Sequence, residues 1–294
     1  MDFKTTRLKQ LPVGSYIVAV SGGVDSVALL DMLVRSGDFA ADSYKFIVAH
    51  FDHGIRADSA EDAKLVAKLA GKYNLQFETK REELGDKASE ELARNRRYVF
   101  LRAMAKKHQA KIITAHHADD AVETVAINVS RGTGWRGLAI LDSDIIRPLI
   151  DLSKSEIMDY AKQNKLQWHE DSTNASDAYL RNRMRRRLVA LEDDNKRQIL
   201  ALRAQQIAIK HDIDQEVTGL VGAGPAYSRY FFTHGDRLAM LECLRYLTNR
   251  QLTRPQLERV LIAIKTAKPR TIFEAGAGVE FGFTSRNFTI KLIK

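Results

Sequence analysis

The chain has 294 residues, 45% of them hydrophobic and 28% charged, which is enough for one large globular domain and a smaller one. Lys and Arg number 46 against 37 Asp and Glu, a formal net charge of +9, and that surplus favours a polyanionic partner such as nucleic acid or a phosphorylated substrate. The single cysteine, Cys243, excludes a disulfide framework within the chain and a cysteine-rich zinc or iron–sulfur site; with no signal-peptide-like start and no apolar run of membrane-spanning length, a cytoplasmic location is expected.

In chain order, SYIVAV (15–20) reads as a strand, and SGGVDS (21–26) joins it to a helical run, VALLDMLV (27–34). Strand-like YKFIVAHF (44–51) follows, then a helix from Asp58 through LVAKLA (65–70), with Asp58 and Glu61 at capping-box spacing. LQFET (75–79) reads as a strand, and SEELARNRRYVFLRAMAKK (89–107) as a helix with an apolar stripe of Leu92, Val99 and Phe100. KIITAHH (111–117) is strand-like again. These strands are apolar runs, as strands covered on both faces are. The fold class expected is α/β: an open, mainly parallel, Rossmann-like sheet with helices on both faces.

IIRPLIDLSKSEIMDYAKQN (145–164) has a strand-like start and then a helix with Ser153 and Glu156 as a capping box. The loop-like QWHEDSTN (167–174) and the arginine-rich LRNRMRRRLV (180–189) follow. Helical runs at 195–213, 237–248 and 253–267, the last with Thr253 as its cap, precede two strand-like runs, GVEFGFTS (278–285) and NFTIKLIK (287–294). The expected organisation is a catalytic domain over 1–195 and a smaller, mainly helical domain over 196–294 ending in a β-hairpin.

SGGVDS stands where open parallel sheets collect ligands, at a strand's carboxyl end and before a helix. The first turn of that helix presents unpaired N–H groups and a partly positive dipole end. The glycines let the backbone curl around an anion, and Ser21 and Ser26 offer hydroxyls. The spacing is neither that of a Walker A loop nor that of a dinucleotide loop, and no lysine lies in it. Asp25 would repel phosphates unless a Mg²⁺ stood between. From the residues alone a glycine corner with an acidic helix start accounts for the pattern equally well.

SGGVDS resembles the pyrophosphate loop, SGGxDS, of the N-type ATP pyrophosphatases, enzymes that adenylylate a substrate and release pyrophosphate (the PP-loop family). Further stretches resemble the tRNA(Ile)-lysidine synthases in their order: HFDHGIR (50–56), EELARNRRYVFL (90–101), AHHADDAVET (115–124), RGTGWRGLA (131–139), RPLIDLSKSEI (147–157) and WHEDSTNASDAYLRNRMR (168–185). The resemblance spans about residues 15 to 190. It implies ATP as a substrate with Mg²⁺, free L-lysine, and a tRNA(Ile) with a CAU anticodon as partners, with a homodimer as a further expectation. The wobble cytidine would be adenylylated at its carbon-two oxygen, and the lysine ε-amine would then displace AMP.

On that resemblance Ser21, Gly22, Gly23, Val24, Asp25 and Ser26 form the ATP-binding loop, with Asp25 holding Mg²⁺ through the phosphates and Arg94 adding a phosphate contact. Arg94, Arg97 and Tyr98 share a helical face, which suits phosphate oxygens or simply solvent. Asp120 and Glu123 lie three apart on one face, which suits a cationic ligand, although acids in a first turn also complement the helix dipole. The family's lysine site falls on these two positions. Asp25, Asp120 and His116 are candidate acceptors of the lysine proton, and His116, His117 and Asp119 also read as possible metal ligands in an incomplete set. Asp52, His53 and Arg56 would border the nucleotide, or Asp52 and Arg56 would pair and shape their own loop. Arg131, Trp135 and Arg136 suit a flipped base or a phosphate backbone, and Arg183 lies in an arginine run dense enough for RNA. The RNxxR arginines, Arg181 and Arg185, are catalytic candidates for stabilising transition-state charge, with Asp171 and Asn174 holding their segment.

Two rivals stand beside this reading. A tRNA thiolase of the same fold would depend on cysteines, and the lone Cys243 lies outside every motif. A non-catalytic, ATP-gated tRNA-binding protein would have no need of the intact SGGVDS.

Overall fold

The computed structural model describes residues 11–36, 43–54, 59–85, 88–169, 180–188, 190–222 and 224–293, with backbone alone for 180–182. The chain forms two compact units, Met1–Ile207 and Ala208–Lys294.

In the first unit β1 (Gly14–Ala19), β2 (Tyr44–Asp52), β3 (Gln76–Arg81) and β4 (Lys111–Ile113) form one parallel sheet in the order β3-β2-β1-β4. α1 (Val24–Arg35), α2 (Ser59–Lys72) and α3 (Glu90–Lys107) are the crossovers between successive strands. Alternate residues of β1 serve opposite faces. Tyr16 and Val18 join a core with Leu29, Leu30 and Leu33 of α1, Val66 of α2, and Ile157 of α5 (Lys154–Gln163). Ile17 joins Ile47, Phe51 and the Phe100–Leu101 pair of α3 on the other face. The expected two-sided α/β architecture is therefore present, with one core on each face of the sheet.

Several expectations shift in detail. The fourth strand stops at Ile113, and the expected fifth is reduced to a single parallel bridge, Ile113 to Ile146. Pro148 has no N–H to donate, and the Arg147 guanidinium turns back onto the carbonyls of Leu141 and Ile145, so pairing ends there. β3 is exposed along most of its length, not covered on both faces, because it is a charged edge strand. On α3 the buried residues are Phe100 and Leu101, while Leu92 and Val99 are exposed, so the apolar stripe lies elsewhere than expected. The Asp58 half of the first capping box lies outside the described residues. The Ser153–Glu156 box that starts α5 is formed, with Ser153 N–H donating to Glu156 Oε2 at 2.7 Å.

α4 (Ala118–Ser130) and α6 (Leu180–Leu188) also belong to the first unit, and α7 (Asp193–Val221) runs on into the second. The second unit contains α8 (Arg229–His234), α9 (Arg237–Leu247) and α10 (Arg254–Thr266), the last capped by Thr253 with Gln256. The terminal hairpin is the middle of a four-stranded antiparallel sheet in the order β5-β8-β7-β6, with β5 at Tyr227–Ser228, β6 at Ile272–Gly276, β7 at Val279–Phe283 and β8 at Asn287–Leu292. Phe281, Phe288, Phe232, Leu244 and Leu257 fill its core, and Cys243 is fully buried among them.

Candidate active site

The strand order reverses between β1 and β4, so the loops after these two strands flank the sheet's switch point. Three helix N-termini meet there. α1 starts after Gly23, α4 after His117 and α5 after Ser153. Their dipole ends favour anions.

The first loop folds on itself. Ser21 N–H donates to Ser26 Oγ at 3.1 Å, and Ser26 Oγ donates to the Gly23 carbonyl at 2.9 Å. Gly22 has φ +98°, a conformation that glycine takes at little cost. A Cβ there would also come within 3.3 Å of Asp62 Cβ, a tight contact added to the backbone strain.

Asp25 does not stand alone among positive dipole ends. Lys154, the first residue of α5, brings its Nζ to 2.6 Å from Asp25 Oδ1. The other Asp25 oxygen is 3.8 Å from His117 Nε2. Asp119 Oδ2 accepts the Lys154 N–H at 2.7 Å, and Asp119 Oδ1 is 3.3 Å from Lys196 Nζ. Burial alone would raise the Asp119 pKa, but the Lys154 N–H, Lys196 and His117 outweigh it and hold the carboxyl below its ordinary range. Lys154 and Lys196 were not singled out from the sequence. The loop has no lysine of its own, and α5 supplies one.

Asp120 and Glu123 do share a face of α4. Asp120 Oδ2 accepts the His117 N–H at 3.1 Å, as a helix-start carboxylate does. Glu123 is 3% exposed and meets Arg185 of α6 at 2.5 Å (Oε1 to Nε) and 3.2 Å (Oε2 to Nη2). Arg185 also lies 3.9 Å from Asp120. The bond to Glu123 raises the Arg185 pKa further. Both carboxylates expected to bind lysine therefore already face one guanidinium, a geometry suited to charged and bidentate recognition.

His116 is held by Thr114, with Nδ1 and Oγ1 2.8 Å apart. Burial pushes its pKa down to about 3, with Asp120 opposing and Arg147, Arg97 and Arg94 assisting. It is a neutral imidazole at physiological pH. The arginines place α3 near the site, and both Arg94 and Arg97 stack on the Tyr98 ring, 4.9 and 5.6 Å from its centre.

Other expected residues are distributed as follows. Arg136 stacks on Trp135 at 4.6 Å, within a loop tied by Asn128 Nδ2 donating to the Gly137 carbonyl at 2.7 Å. Arg131 ends α4 and is exposed, as is Arg183 on α6. Asp52 pairs with Arg81 at 3.2 Å and accepts the Gly54 N–H at 2.9 Å. His53 packs edge-on against Phe51. The side chain of Arg181, and Arg56, Asp171 and Asn174, lie outside the described residues. Among the described residues no group of three or more His, Cys, Asp or Glu is arranged to hold a metal ion. Asp25 offers one carboxylate beside the phosphate loop, and Mg²⁺ is commonly bound by one or two carboxylates together with substrate phosphates. The donor set fits Mg²⁺ arriving with ATP.

A family model described as a PP-loop domain matches residues 3–192. A tRNA(Ile)-lysidine synthase of Thermotoga maritima is 31% identical, aligned over 93% of this chain and 70% of its own length. One of Exiguobacterium sibiricum is 38% identical over 62% of this chain and 44% of its own. In structure, a U34-tRNA thiolase from Methanococcus maripaludis, solved with its [4Fe-4S] cluster, superposes with a TM-score of 0.58 at 16% identity, over 70% of this chain and 78% of its own, a likeness of fold. With the switch-point loops in place and the relatives aligned through them, the chain belongs to the tRNA(Ile)-lysidine synthase family of PP-loop proteins.

Proposed function

We propose that this chain joins L-lysine to the wobble cytidine of a tRNA(Ile) with a CAU anticodon, consuming ATP and releasing AMP and pyrophosphate. One observation carries the reading: Asp25 of the Ser21–Ser26 loop meets Lys154 of α5 at 2.6 Å and lies 3.8 Å from His117, the cap of the helix that carries Asp120 and Glu123. A phosphate site in this loop and an ammonium site on α4 would be adjacent, as a reaction between a nucleotide and an ammonium requires.

ATP would lie with its terminal phosphates in the loop and its reacting phosphorus toward α4. Asp25 would hold Mg²⁺ against the phosphates, where the ion neutralises charge on the leaving pyrophosphate. Lys154, released from Asp25, would take a phosphate oxygen. Arg94 would steady the nucleotide from α3. The cytidine carbon-two oxygen attacks the α-phosphorus as pyrophosphate departs, and the lysine amine then attacks carbon two as AMP departs.

The lysine ammonium would be held by Asp120 and Glu123. It competes there with Arg185, and displaced Arg185 would turn to the developing negative charge, with Arg181 as its companion. The amine must lose a proton before it attacks. Burial keeps the His116 imidazole neutral, which suits a hydrogen-bonding role beside the amine. Asp120, Asp25 and His116 are the groups within the proposed site that would take the proton. Arg131, Trp135, Arg136 and Arg183 would receive the anticodon, and the second unit would contact the tRNA body. A homodimer is part of the reading through resemblance alone.

A thiolase shares the fold, but the one cysteine of this chain is buried in the second unit, where burial raises its thiol to about 11. The test is pyrophosphate release measured with and without tRNA(Ile) and lysine. Release should require the tRNA, and Asp25→Ala should lower it by about 100-fold or more while the melting temperature is kept. Near-normal turnover in that variant would remove Asp25 from the mechanism.

A further inference from the structure

The phosphate loop contains a weakness. Gly22 and Gly23 are adjacent, Gly22 has φ +98°, and a peptide between two glycines flips easily. That peptide matters, because its N–H belongs to Gly23, the cap residue of α1. Within the loop this N–H meets only Ser21 Oγ, at 3.4 Å, a long contact that a phosphate oxygen would readily replace. Something must keep it pointing into the cradle.

His169 is placed to do so. Its backbone N–H donates to the Gly22 carbonyl at 3.0 Å. A carbonyl and the N–H of the same trans peptide point in opposite directions. Fixing the Gly22 carbonyl from outside therefore fixes the Gly23 N–H toward the inside. His169 is itself anchored: its Nδ1 lies 2.8 Å from Asp62 Oδ1, and a carboxylate accepts from the protonated nitrogen. Asp62 comes from α2, is buried, and lies so close to Gly22 that a Cβ there would sit 3.3 Å from Asp62 Cβ. Three segments remote in sequence thus converge behind one peptide.

We propose that Asp62 and His169 form a clamp that sets the Gly22–Gly23 peptide for phosphate binding, making both positioning residues for the nucleotide step. Neither touches the nucleotide. Both act through the loop backbone. The proposal rests on the reading of Ser21–Ser26 as the ATP loop.

Two measurements test it on the full chain. Hydrogen exchange of the peptide covering the loop should accelerate about tenfold in His169→Ala and in Asp62→Ala. It should stay at the wild-type rate in His169→Asn, whose amide nitrogen sits where Nδ1 does, and in Asp62→Asn, which keeps an acceptor. In turnover assays the two alanine variants should raise the KM for ATP about tenfold, leave the KM for lysine within twofold, and be rescued by the asparagine variants. A structural staple alone would lower the melting temperature without this selectivity. Unchanged loop exchange in both alanine variants would overturn the clamp, as would accelerated exchange with an unchanged KM for ATP. If the wild-type chain turns over no ATP while loop exchange responds as described, the functional reading fails and the clamp stands as the loop's conformational anchor.

Discussion

His116 shows how a single residue's setting constrains its chemistry. In the unfolded chain it titrates near the ordinary 6.5, whereas burial keeps the native imidazole neutral down to about pH 3. Between those values the unfolded state binds a proton that the native state does not, so stability falls as pH falls through that window. His116→Asn, which keeps a partner for Thr114, should flatten the acid limb of a stability–pH profile between pH 6 and 4; an unchanged limb would mean that other groups govern it. Glu123 makes a second case. Removing the guanidinium in Arg185→Ala takes two charged hydrogen bonds from a buried carboxylate, which should cost about 1–3 kcal/mol in chemical denaturation as well as activity. The placement of Asp25 and Asp120 in first helical turns, and of Glu123 on the same face as Asp120, was legible because helix spacing is local. Lys154 and the Asp62–His169 pair were not, since their contacts span 129 and 107 residues and only the folded sheet brings them together.

At the scale of elements, local signals served well where capping chemistry is local. The Ser153–Glu156 box starts α5 as its spacing suggests, and Thr253 caps α10 as expected, joined there by Gln256. Because Lys154 is the first residue of α5, loosening this cap should disturb the phosphate loop's cation. Ser153→Ala should cost about 1 kcal/mol of stability and raise the KM for ATP severalfold in steady-state assays. A stability loss with no change in KM would separate the cap from the site. Strand ends were less legible. The apolar letters of KIITAHH continue past Ile113, but pairing depends on what lies alongside, and Pro148 with inward-turned Arg147 ends the partner after one bridge. β6 went unread because Glu274, Gly276 and an irregular register interrupt its pattern, and its pairing with β7 decides its state. The α3 stripe misled for a related reason: which side of a helix is covered depends on the sheet it meets.

For the molecule as a whole, the expected parallel sheet with helices on both faces is present, and ligand loops gather at its switch point as topology requires. The surplus charge of +9 is a property of the entire chain and makes a prediction at that scale. tRNA binding followed by filter retention or anisotropy should weaken steeply with salt, with a log–log slope of about −4 if some five phosphates are neutralised; a flat response would argue against backbone contact as the source of affinity. The central claim is the chemistry joining the two halves of the site. Its most direct test is to incubate the chain with tRNA(Ile) bearing a CAU anticodon, ATP, Mg²⁺ and lysine, digest the RNA to nucleosides, and analyse them by mass spectrometry. The account predicts a wobble cytidine carrying one lysine, formed only when ATP and lysine are both present. An unmodified cytidine from folded, ATP-binding protein and competent tRNA would contradict it.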